Sequence, residues 1–344
     1  MIAMTIGLFL IAGLVYLIAE TSRSRAEIER SSRQIENGRY ALDRIAEDLR
    51  HAGFFSEYLS VAKPAEAGFP LTTGAADPCA TAIASLPAGM PLAIQAYDGG
   101  ASVPSDLTGC LSSSDYQPNT DILVVRRSST STIAKTATLV DGQPYIQSGR
   151  GASPDLEYKL DTKSNIGVFT LTHLSGNGTT GATATVDAPL RRYIVRIYFV
   201  SICNVPASGA TCNGTTDDGG TPIPTLKMLE LGAGASGPAF QKLAIAEGIE
   251  HLQFDFGIDD SGDGVADRVV MCDSSAPCST ADWSNVVAVE VNLVARNTEI
   301  SPAYSDDKTY SLGLKGYTTA TNDRYRRHAY STFVRLNNIA MRRE

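Results

Sequence analysis

The first nineteen residues of the chain, Met1 to Ala19, lack any charged side chain, and no proline occurs before Pro64. An apolar run of this length can cross the hydrocarbon core of a bilayer, which takes about 20 predominantly apolar residues. A cleaved secretory signal would have a shorter apolar core, followed by a small-residue cleavage motif. The two absences therefore predict one uninterrupted helix that starts in an apolar environment and continues into a charged segment.

The sequence also lacks the motifs of common enzyme classes. It contains no GxSxG, GxxxxGKS/T or HExxH motif, and no GxGxxG follows a predicted strand. The glycine-rich run at 232–238 lacks the lysine of a phosphate-binding loop, which favours a plain loop. The net charge of −8 does not indicate a nucleic-acid-binding face. We therefore predict a non-enzymatic protein that requires no cofactor and binds no nucleic acid as its primary function.

Zinc ligation is disfavoured because no CxxC is present and the histidines, His51, His173, His251 and His328, are scattered. The cysteines instead fall into pairs that are local in sequence, and each pair brackets a loop rich in Gly, Ser, Pro and Thr. An even number of cysteines that close loops in an exported chain indicates disulfides in an oxidising compartment. Sequence alone does not fix the connectivity. Neighbours need the least rearrangement, so we predict the bridges Cys79–Cys110, Cys203–Cys212 and Cys272–Cys278.

The charged continuation from Glu20 to Arg50 has the pattern of an amphipathic helix. Opposite charges one turn apart, Arg44 and Asp48 among them, predict a solvated outer face. Gly53 is a natural C-terminal breaker. The apolar stripe is predicted to pack on the sheet of the protein's own head, and it comprises Ile28, Ile35, Leu42 and Leu49 at intervals of seven, widened by Ala41 and Ile45.

The rest of the chain is dominated by strand signals. Val287, Val289, Val291 and Leu293 alternate with other residues, as in a sheet with one buried face. We predict an α+β fold in which a long N-terminal helix, transmembrane and then amphipathic, packs on an antiparallel β-sheet head. The predicted organisation is an apolar segment at 1–19, its amphipathic continuation at 20–52, a loop-rich insertion at 53–120 and a β-rich head at 121–344. The predicted strands cover 121–126, 132–140, 168–173, 192–201, 225–231, 249–258, 268–272, 286–296 and 329–337.

One loop has the spacing of a ligand site. Counting Asp259 as position 1 gives the offsets of an EF-hand-like calcium loop, whose candidate ligands are Asp259, Ser261, Asp263, the backbone carbonyl of Val265, and Asp267. Val270 occupies position 12, where the EF-hand has a bidentate glutamate. The flanking segments are predicted strands, so any calcium site would lie within a hairpin. A plain acidic hairpin turn accounts for the same residues, and both interpretations stay open.

The N-terminal segment MIAMTIGLFLIAGLVYL, followed by SRSRAEIERSSRQIENGRYALDRIAEDLRHAGFF, resembles the start of PilW-type minor pilins of the type IV pilus. The resemblance returns in GIEHLQFDFGIDDSGDGVAD, NVVAVEVNLVARN and RHAYSTFVRLNN. The family's basic leader and its Phe-Thr-Leu-Ile-Glu-Leu-like mature start are not in this sequence. With Arg23 and Arg25 after the apolar run and no basic residue before it, the positive-inside rule would place the head in the cytoplasm, against the cysteine content. We therefore expect the given N-terminus to be incomplete.

The resemblance implies a pilin-like fold and a non-enzymatic role in priming pilus assembly at or near the tip, in support of motility, adhesion and DNA uptake. It also implies storage in the inner membrane with the head in the periplasm, and later a place in the extracellular fibre. The implied partners are other minor pilins, the major pilin, membrane lipid and a tip adhesin. Two alternatives stay open: a type II secretion pseudopilin, and a membrane-anchored adhesin or binding module that never enters a filament.

Overall fold

The computed structural model describes residues 2–56, 76–150, 156–172, 187–302, 304–318, 323–341 and 343. Its first element is the helix α1 (Ile2–His51), which confirms the predicted uninterrupted helix. At 1.5 Å per residue, α1 is about 75 Å long. It ends next to Gly53, whose φ of +71° is a conformation that side chains disfavour. The backbone N–H of Gly53 then donates to the carbonyl of Arg126 at 3.0 Å, which turns the chain onto the head.

The larger sheet of the head is antiparallel and is centred on its longest strand. Its strands are β1 (Ile94–Tyr97), β2 (Ile122–Ser128), β3 (Tyr145–Arg150), β4 (Leu156–Asp161), β5 (Leu190–Ser201), β6 (Thr225–Ala233) and β7 (Pro238–Glu247). The central strand β5 pairs with β2, with β3 along its first residues and with β6 along its last. β1 extends the sheet beyond β2, and β7 extends it beyond β6.

The second sheet has the strand order β13-β10-β8-β9, and a two-stranded hairpin lies beside it. In chain order these elements are β8 (Ile249–Ile258), β9 (Arg268–Val270), α2 (Thr280–Asn285), β10 (Val286–Arg296), β11 (Thr309–Leu312), β12 (Lys315–Thr318), β13 (Arg327–Arg335) and α3 (Asn337–Ala340). β11 and β12 form the hairpin. All of the strand pairings are antiparallel.

The main core lies between α1 and the two sheets. α1 contributes Ala41, Ile45 and Leu49, and the alternating residues Val287, Val289, Val291 and Leu293 of β10 face the same core. The predicted α+β architecture, a long helix packed on antiparallel sheets, is confirmed. The alternation of β10 could be recognised in the sequence because Glu290 and Asn292 separate the large apolar residues of its core face.

A second core covers the opposite face of the larger sheet. Residues between 76 and 116, among them Leu86, Met90 and Leu107, pack against Ile197 and Phe199 of β5. β5 is therefore buried on both faces, which explains its nearly continuous run of apolar residues. The segment predicted as a loop-rich insertion lies partly outside the described residues, at 57–75. Its described remainder contributes β1 and much of this second core.

The prediction that the apolar stripe of α1 packs on the head was wrong for the N-terminal end of the stripe. Leu42 and Leu49 are buried as predicted, whereas Ile28 is 66% exposed and Ile35 is 41% exposed. An α-helix repeats every 3.6 residues, so a strict seven-residue spacing drifts by about 20° per heptad relative to a straight axis. The face that contacts the head passes instead through Gln34, Gly38, Ala41, Ile45, Leu49 and Ala52.

Two of the predicted strands were also wrong. The segment at 132–140 forms no strand and makes a single bridge, from Ile133 to Leu190. Residues Lys163–Val168 form a 3-10 helix, and Thr172 makes only an isolated bridge to Asp187. His173 lies outside the described residues. The strands β1, β3, β4, β7, β11 and β12 were not predicted, because β1, β11 and β12 have only four residues each and the others alternate less regularly.

Candidate assembly surface

The N-terminal third of α1 is apolar and is not covered by the head. Its large side chains are solvent-exposed from Met4 to Ile18, and Phe9 is 79% exposed. An 18-residue window of α1 has a mean hydropathy of 1.9, and none of that window is buried. Among the described helices, α1 is the one long and apolar enough to cross a membrane. We define Met4–Ala19 as the bare segment.

The middle of α1 is fixed to the head by short polar contacts. Gln34 Nε2 donates to the carbonyl of Ala295 at 2.6 Å and to that of Arg326 at 3.0 Å. Asn37 Nδ2 donates to the carbonyl of Glu247 at 3.1 Å. These amide side chains donate to backbone carbonyls of β10 and β7 and of the residue before β13, which satisfies the polar groups at the contact. The contact therefore specifies the rotation of α1 as well as its position.

Near its C-terminal end, α1 carries a buried carboxylate that binds two arginines of the larger sheet. Asp48 is fully buried. It accepts hydrogen bonds from Arg127 Nη2 at 2.8 Å, from Arg196 Nη1 at 2.6 Å and from the hydroxyl of Tyr198. Arg196 also donates through Nε to Glu230 at 2.7 Å. The sequence-based assignment of Asp48 to a solvated outer face, paired with Arg44, was wrong: Arg44 pairs with Glu47 at 3.1 Å.

The electrostatics of this cluster keep the Asp48 carboxylate charged. Burial alone would raise the pKa of Asp48, but the charge and hydrogen bonds of Arg196, the charge of Arg127 and the Tyr198 hydroxyl together hold that pKa below its usual value. Burial, and then the neighbouring Asp48, raise the pKa of Tyr198, so its hydroxyl remains a donor. A weak sequence signal existed, because Arg196 interrupts the apolar run of β5 and Arg127 lies at the end of the apolar run of β2.

Three disulfides close loops on the head, and they join the cysteines that neighbour each other in sequence. The Cα–Cα distances are 5.4 Å for Cys79–Cys110, 5.9 Å for Cys203–Cys212 and 4.9 Å for Cys272–Cys278. These separations are normal for disulfides. Cys79–Cys110 joins two ends of the segment that covers the second core.

The Asp259–Asp267 loop connects β8 to β9, so it lies in a hairpin as the sequence predicted. The oxygens of Asp259 accept backbone N–H groups from Gly262 at 2.5 Å and from Gly264 at 2.9 Å. Asp267 Oδ2 accepts the N–H groups of Asp260 and Ser261, both at 2.8 Å. Asp263 Oδ1 accepts the N–H of Val265 at 2.9 Å. Each of the three predicted carboxylate ligands thus binds the loop's own backbone.

A positively charged side chain from near the C-terminus also contacts Asp259, the first residue of this loop. Arg343 Nη1 lies 3.4 Å from Asp259 Oδ2. Burial alone would raise the pKa of Asp259, but N–H donors from Gly264 and Gly262, and the charge of Arg343, lower it. These contacts are those of an acidic hairpin turn. Calcium binding at this loop stays a prediction.

Among the described residues, one group of three brings potential metal-ligating atoms within 4.8 Å of one another: Cys203, Cys212 and Asp217. The carboxylates of Asp259, Asp263 and Asp267 do not converge to this distance. The two sulfurs are joined in a disulfide and are not thiolates. Asp217 accepts N–H groups from Ala207 at 2.8 Å and from Asn213 at 2.7 Å. The group therefore serves to fold a loop.

Residues 213–338 match the protein family described as Type IV Pilus-assembly protein W. This match confirms the resemblance to PilW in the part of the chain that holds β6 to β13. No curated protein matches the sequence. A solved structure of a type IV-like pilin from Thermus thermophilus is 14% identical, and the similarity covers 58% of this chain and 87% of that one with a TM-score of 0.21.

Proposed function

We propose that this chain is a PilW-type minor pilin, a non-enzymatic subunit that takes part in priming type IV pilus assembly at or near the tip. The observation that supports this role best is the division of α1. One part of the helix is packed and hydrogen-bonded to the head, and the bare segment has no cover within the described chain. A single rigid element thus joins the head to an apolar surface that requires a partner.

The energetics of the bare segment favour membrane storage followed by helix packing. Burying one large apolar side chain is worth about 1.5–3 kcal/mol relative to leaving it in water. The bare segment exposes many such side chains, including Leu8, Phe9, Leu14 and Tyr16. Lipid can cover them before assembly, and equivalent helices of other pilins can cover them in the fibre. In both environments the helix makes its backbone hydrogen bonds within itself, so no polar backbone group is left unpaired.

The partners and location follow from the same role. Other minor pilins and the major pilin would contact α1, and a tip adhesin would contact the head. The head would fold in the periplasm, an oxidising compartment in which disulfides persist. Activity in the extracellular fibre would then support motility, adhesion and DNA uptake.

The decisive variant is Gly13→Arg. A side chain at Gly13 would meet nothing within 4 Å in the folded subunit, so the head should keep its stability. A charge at the centre of an apolar span costs about 2.5–3.5 kcal/mol on insertion scales, and it would also be buried between packed helices. We expect loss of pili in cells complemented with Gly13→Arg, and normal pili with the matched control Gly13→Ala. Normal piliation with both variants would overturn the role of the bare segment.

A strain that lacks the gene distinguishes a pilus subunit from a type II secretion pseudopilin. Deletion of the gene should abolish surface pili and twitching while leaving protein secretion intact. Loss of secretion with normal pili would assign the chain to a pseudopilus. Normal pili and normal secretion, with the head retained in the membrane, would instead support an anchored binding module.

Calcium binding by the Asp259–Asp267 loop forms a separate part of the proposal. A bound ion would have to replace the contact between Arg343 and Asp259 and share the carboxylates with backbone N–H groups. This competition would make the site weak, as in extracellular modules. Calcium titration of the wild type against Asp263→Asn, followed by thermal unfolding, tests this part, and equal responses would remove the loop from consideration.

A further inference from the structure

The face of the second sheet that points away from α1 carries four oxygen-bearing side chains in a two-by-two arrangement. Asn292 of β10 lies directly opposite Gln253 of β8, and Glu290 lies directly opposite Asp255. Side chains two residues apart on a strand share a face, and directly opposed Cβ atoms lie about 4.5–5.5 Å apart. We call Gln253, Asp255, Glu290 and Asn292 the carboxylate–amide block.

Most of the block is buried and incompletely hydrogen-bonded. Gln253, Asp255 and Asn292 are each at most 2% exposed, and Glu290 is half-buried. Gln253 Oε1, Asp255 Oδ1 and Asn292 Nδ2 have no hydrogen-bond partner in the part of the chain that the structure describes. Gln253 Nε2 donates to Asp121 Oδ2 at 2.6 Å, which fixes its Oε1 as the unpaired atom. Buried polar atoms without partners are rare in native proteins and call for a ligand or water.

The turn of the β11–β12 hairpin closes over the block. The backbone N–H of Leu314 donates to Asp255 Oδ2 at 3.0 Å. A Cβ on Gly313 would collide with Asp255 Oδ2 and would lie 2.7 Å from Asn292 Nδ2. Asp255 and Asn292 therefore both point at the backbone of Gly313, and only a residue without a side chain fits there. A half-turn of the Asn292 amide would place its oxygen at the same position.

The block also has an uncompensated charge. Among the described residues, no basic side chain forms an ion pair with Asp255 or Glu290, whereas neighbouring acids do have such partners: Asp98 pairs with Lys315 at 2.9 Å, and Asp323 with Arg327 at 2.7 Å. Like charges directly opposite each other on a sheet destabilise it. Ordered water could satisfy the unpaired atoms, whereas a cation would also offset the repulsion that arises when Asp255 and Glu290 are both ionised.

We propose that the carboxylate–amide block binds a divalent cation that prefers oxygen ligands, with Ca²⁺ as the favoured ion. Two carboxylates, the Gln253 carbonyl and the Asn292 amide oxygen supply hard donors, and backbone carbonyls or water complete the shell. Ca²⁺ accepts six to eight such ligands in flexible geometry, whereas Mg²⁺ requires a near-ideal octahedron. The cation would neutralise the facing carboxylates and hold the hairpin on the sheet. This site is separate from the Asp259–Asp267 loop.

The test uses the full chain in detergent, with thermal unfolding in EDTA, in Ca²⁺ and in Mg²⁺, and with Ca²⁺ affinity from calorimetry. We expect Ca²⁺ to raise the Tm of the wild type. Glu290→Gln should raise the Tm in EDTA, because it removes the repulsion, and should weaken Ca²⁺ affinity about tenfold or more. The matched control is Asp307→Asn, an exposed acid before β11 that should retain the full response. Asp255→Asn should have the same effect as Glu290→Gln. If Asp255→Asn fails to fold because Asp255 is buried, the variant at the half-buried Glu290 still tests the proposal.

All variants are repeated in an Asp263→Asn background, so that the hairpin loop does not contribute. A Ca²⁺ response that persists in this background and disappears with Glu290→Gln supports the block. A response lost with Asp263→Asn alone would assign calcium to the loop and overturn the proposal. No Ca²⁺ response in the wild type would mean that the block holds ordered water only. A response unchanged by both Glu290→Gln and Asp255→Asn would also overturn it.

Discussion

Leu49 and Ile28 occupy the same helix and the same predicted stripe, yet only Leu49 contacts the core. Leu49→Ala should lower the free energy of unfolding by about 2–5 kcal/mol, because it leaves a cavity between α1 and the sheets. Ile28→Ala, at a residue that is 66% exposed, is the matched control and should change it by less than about 0.5 kcal/mol. Urea unfolding of both variants measures the difference. Equal effects would contradict the observed rotation of α1.

Asp48 is fully buried and forms ion pairs with two arginines. Asp48→Asn should cost about 3–5 kcal/mol at pH 7, because Arg127 and Arg196 would lose a buried counter-charge. The pKa of Asp48 is lowered in the folded state, below the ordinary value of 3.8. Its contribution to stability is therefore complete above that ordinary value and is lost as the pH falls through the folded pKa.

Urea unfolding of the wild type and Asp48→Asn at pH 7, 5, 4 and 3 checks this sign. The stability difference between the two proteins should be constant from pH 7 to 5 and should shrink below about pH 4. A difference that grows as the pH falls would mean that the Asp48 carboxyl is protonated in the native protein. Arg44→Ala is a useful comparison, because Arg44 contacts the exposed Glu47 and should leave the pH profile unchanged.

At the scale of elements, Gly38 sets the distance between α1 and β13. A Cβ at Gly38 would lie 2.5 Å from Cε2 of Tyr330, inside van der Waals contact. Gly38→Ala should therefore destabilise the head by about 1–3 kcal/mol, although alanine is the better helix former. Gly13→Ala, with nothing within 4 Å, should leave the Tm of the head unchanged. Thermal unfolding of both variants is the measurement, and a stabilising Gly38→Ala would show that Tyr330 moves aside without cost.

The elements themselves were predictable to different degrees. β8 and β10 were predicted at their observed bounds, Ile249–Ile258 and Val286–Arg296, because large apolar residues on their core faces alternate with residues of other types. β7 was missed because most of its residues are only partly buried and its pattern is irregular. The segment at 132–140 was predicted as a strand from its β-branched residues, but the neighbouring strand β5 pairs there at one position only. Strand propensity depends on a partner, and sequence does not show where the partner lies.

At the scale of the molecule, the three disulfides differ in how much chain they restrain. Cys79–Cys110 spans 31 residues and Cys272–Cys278 spans 6. In the chain-entropy account, the longer loop contributes about 3–4 kcal/mol and the shorter about 2 kcal/mol. Replacing both cysteines of each bridge by serine, followed by urea unfolding, should show this order. A larger loss for the short bridge would mean that native contacts outweigh loop entropy.

Some features of this protein were determined by the sequence alone. The uncharged run at the N-terminus, the uninterrupted helix and the stop at Gly53 depend on local composition and backbone preference, so they could be read directly. The alternation of β10 identified its core face for the same reason. The family match at 213–338 agrees with the resemblance found in those blocks.

The tertiary structure decided the features that depend on distant partners. In the sequence, Asp48 resembles the other charged residues of the helix. Only the fold places Arg127 and Arg196, from strands far along the chain, within hydrogen-bonding distance of it. The carboxylate–amide block exists only because the register places Glu290 opposite Asp255 and Asn292 opposite Gln253. Helix rotation and strand register are set by long-range packing, and a shift of one residue would turn these side chains to the other face.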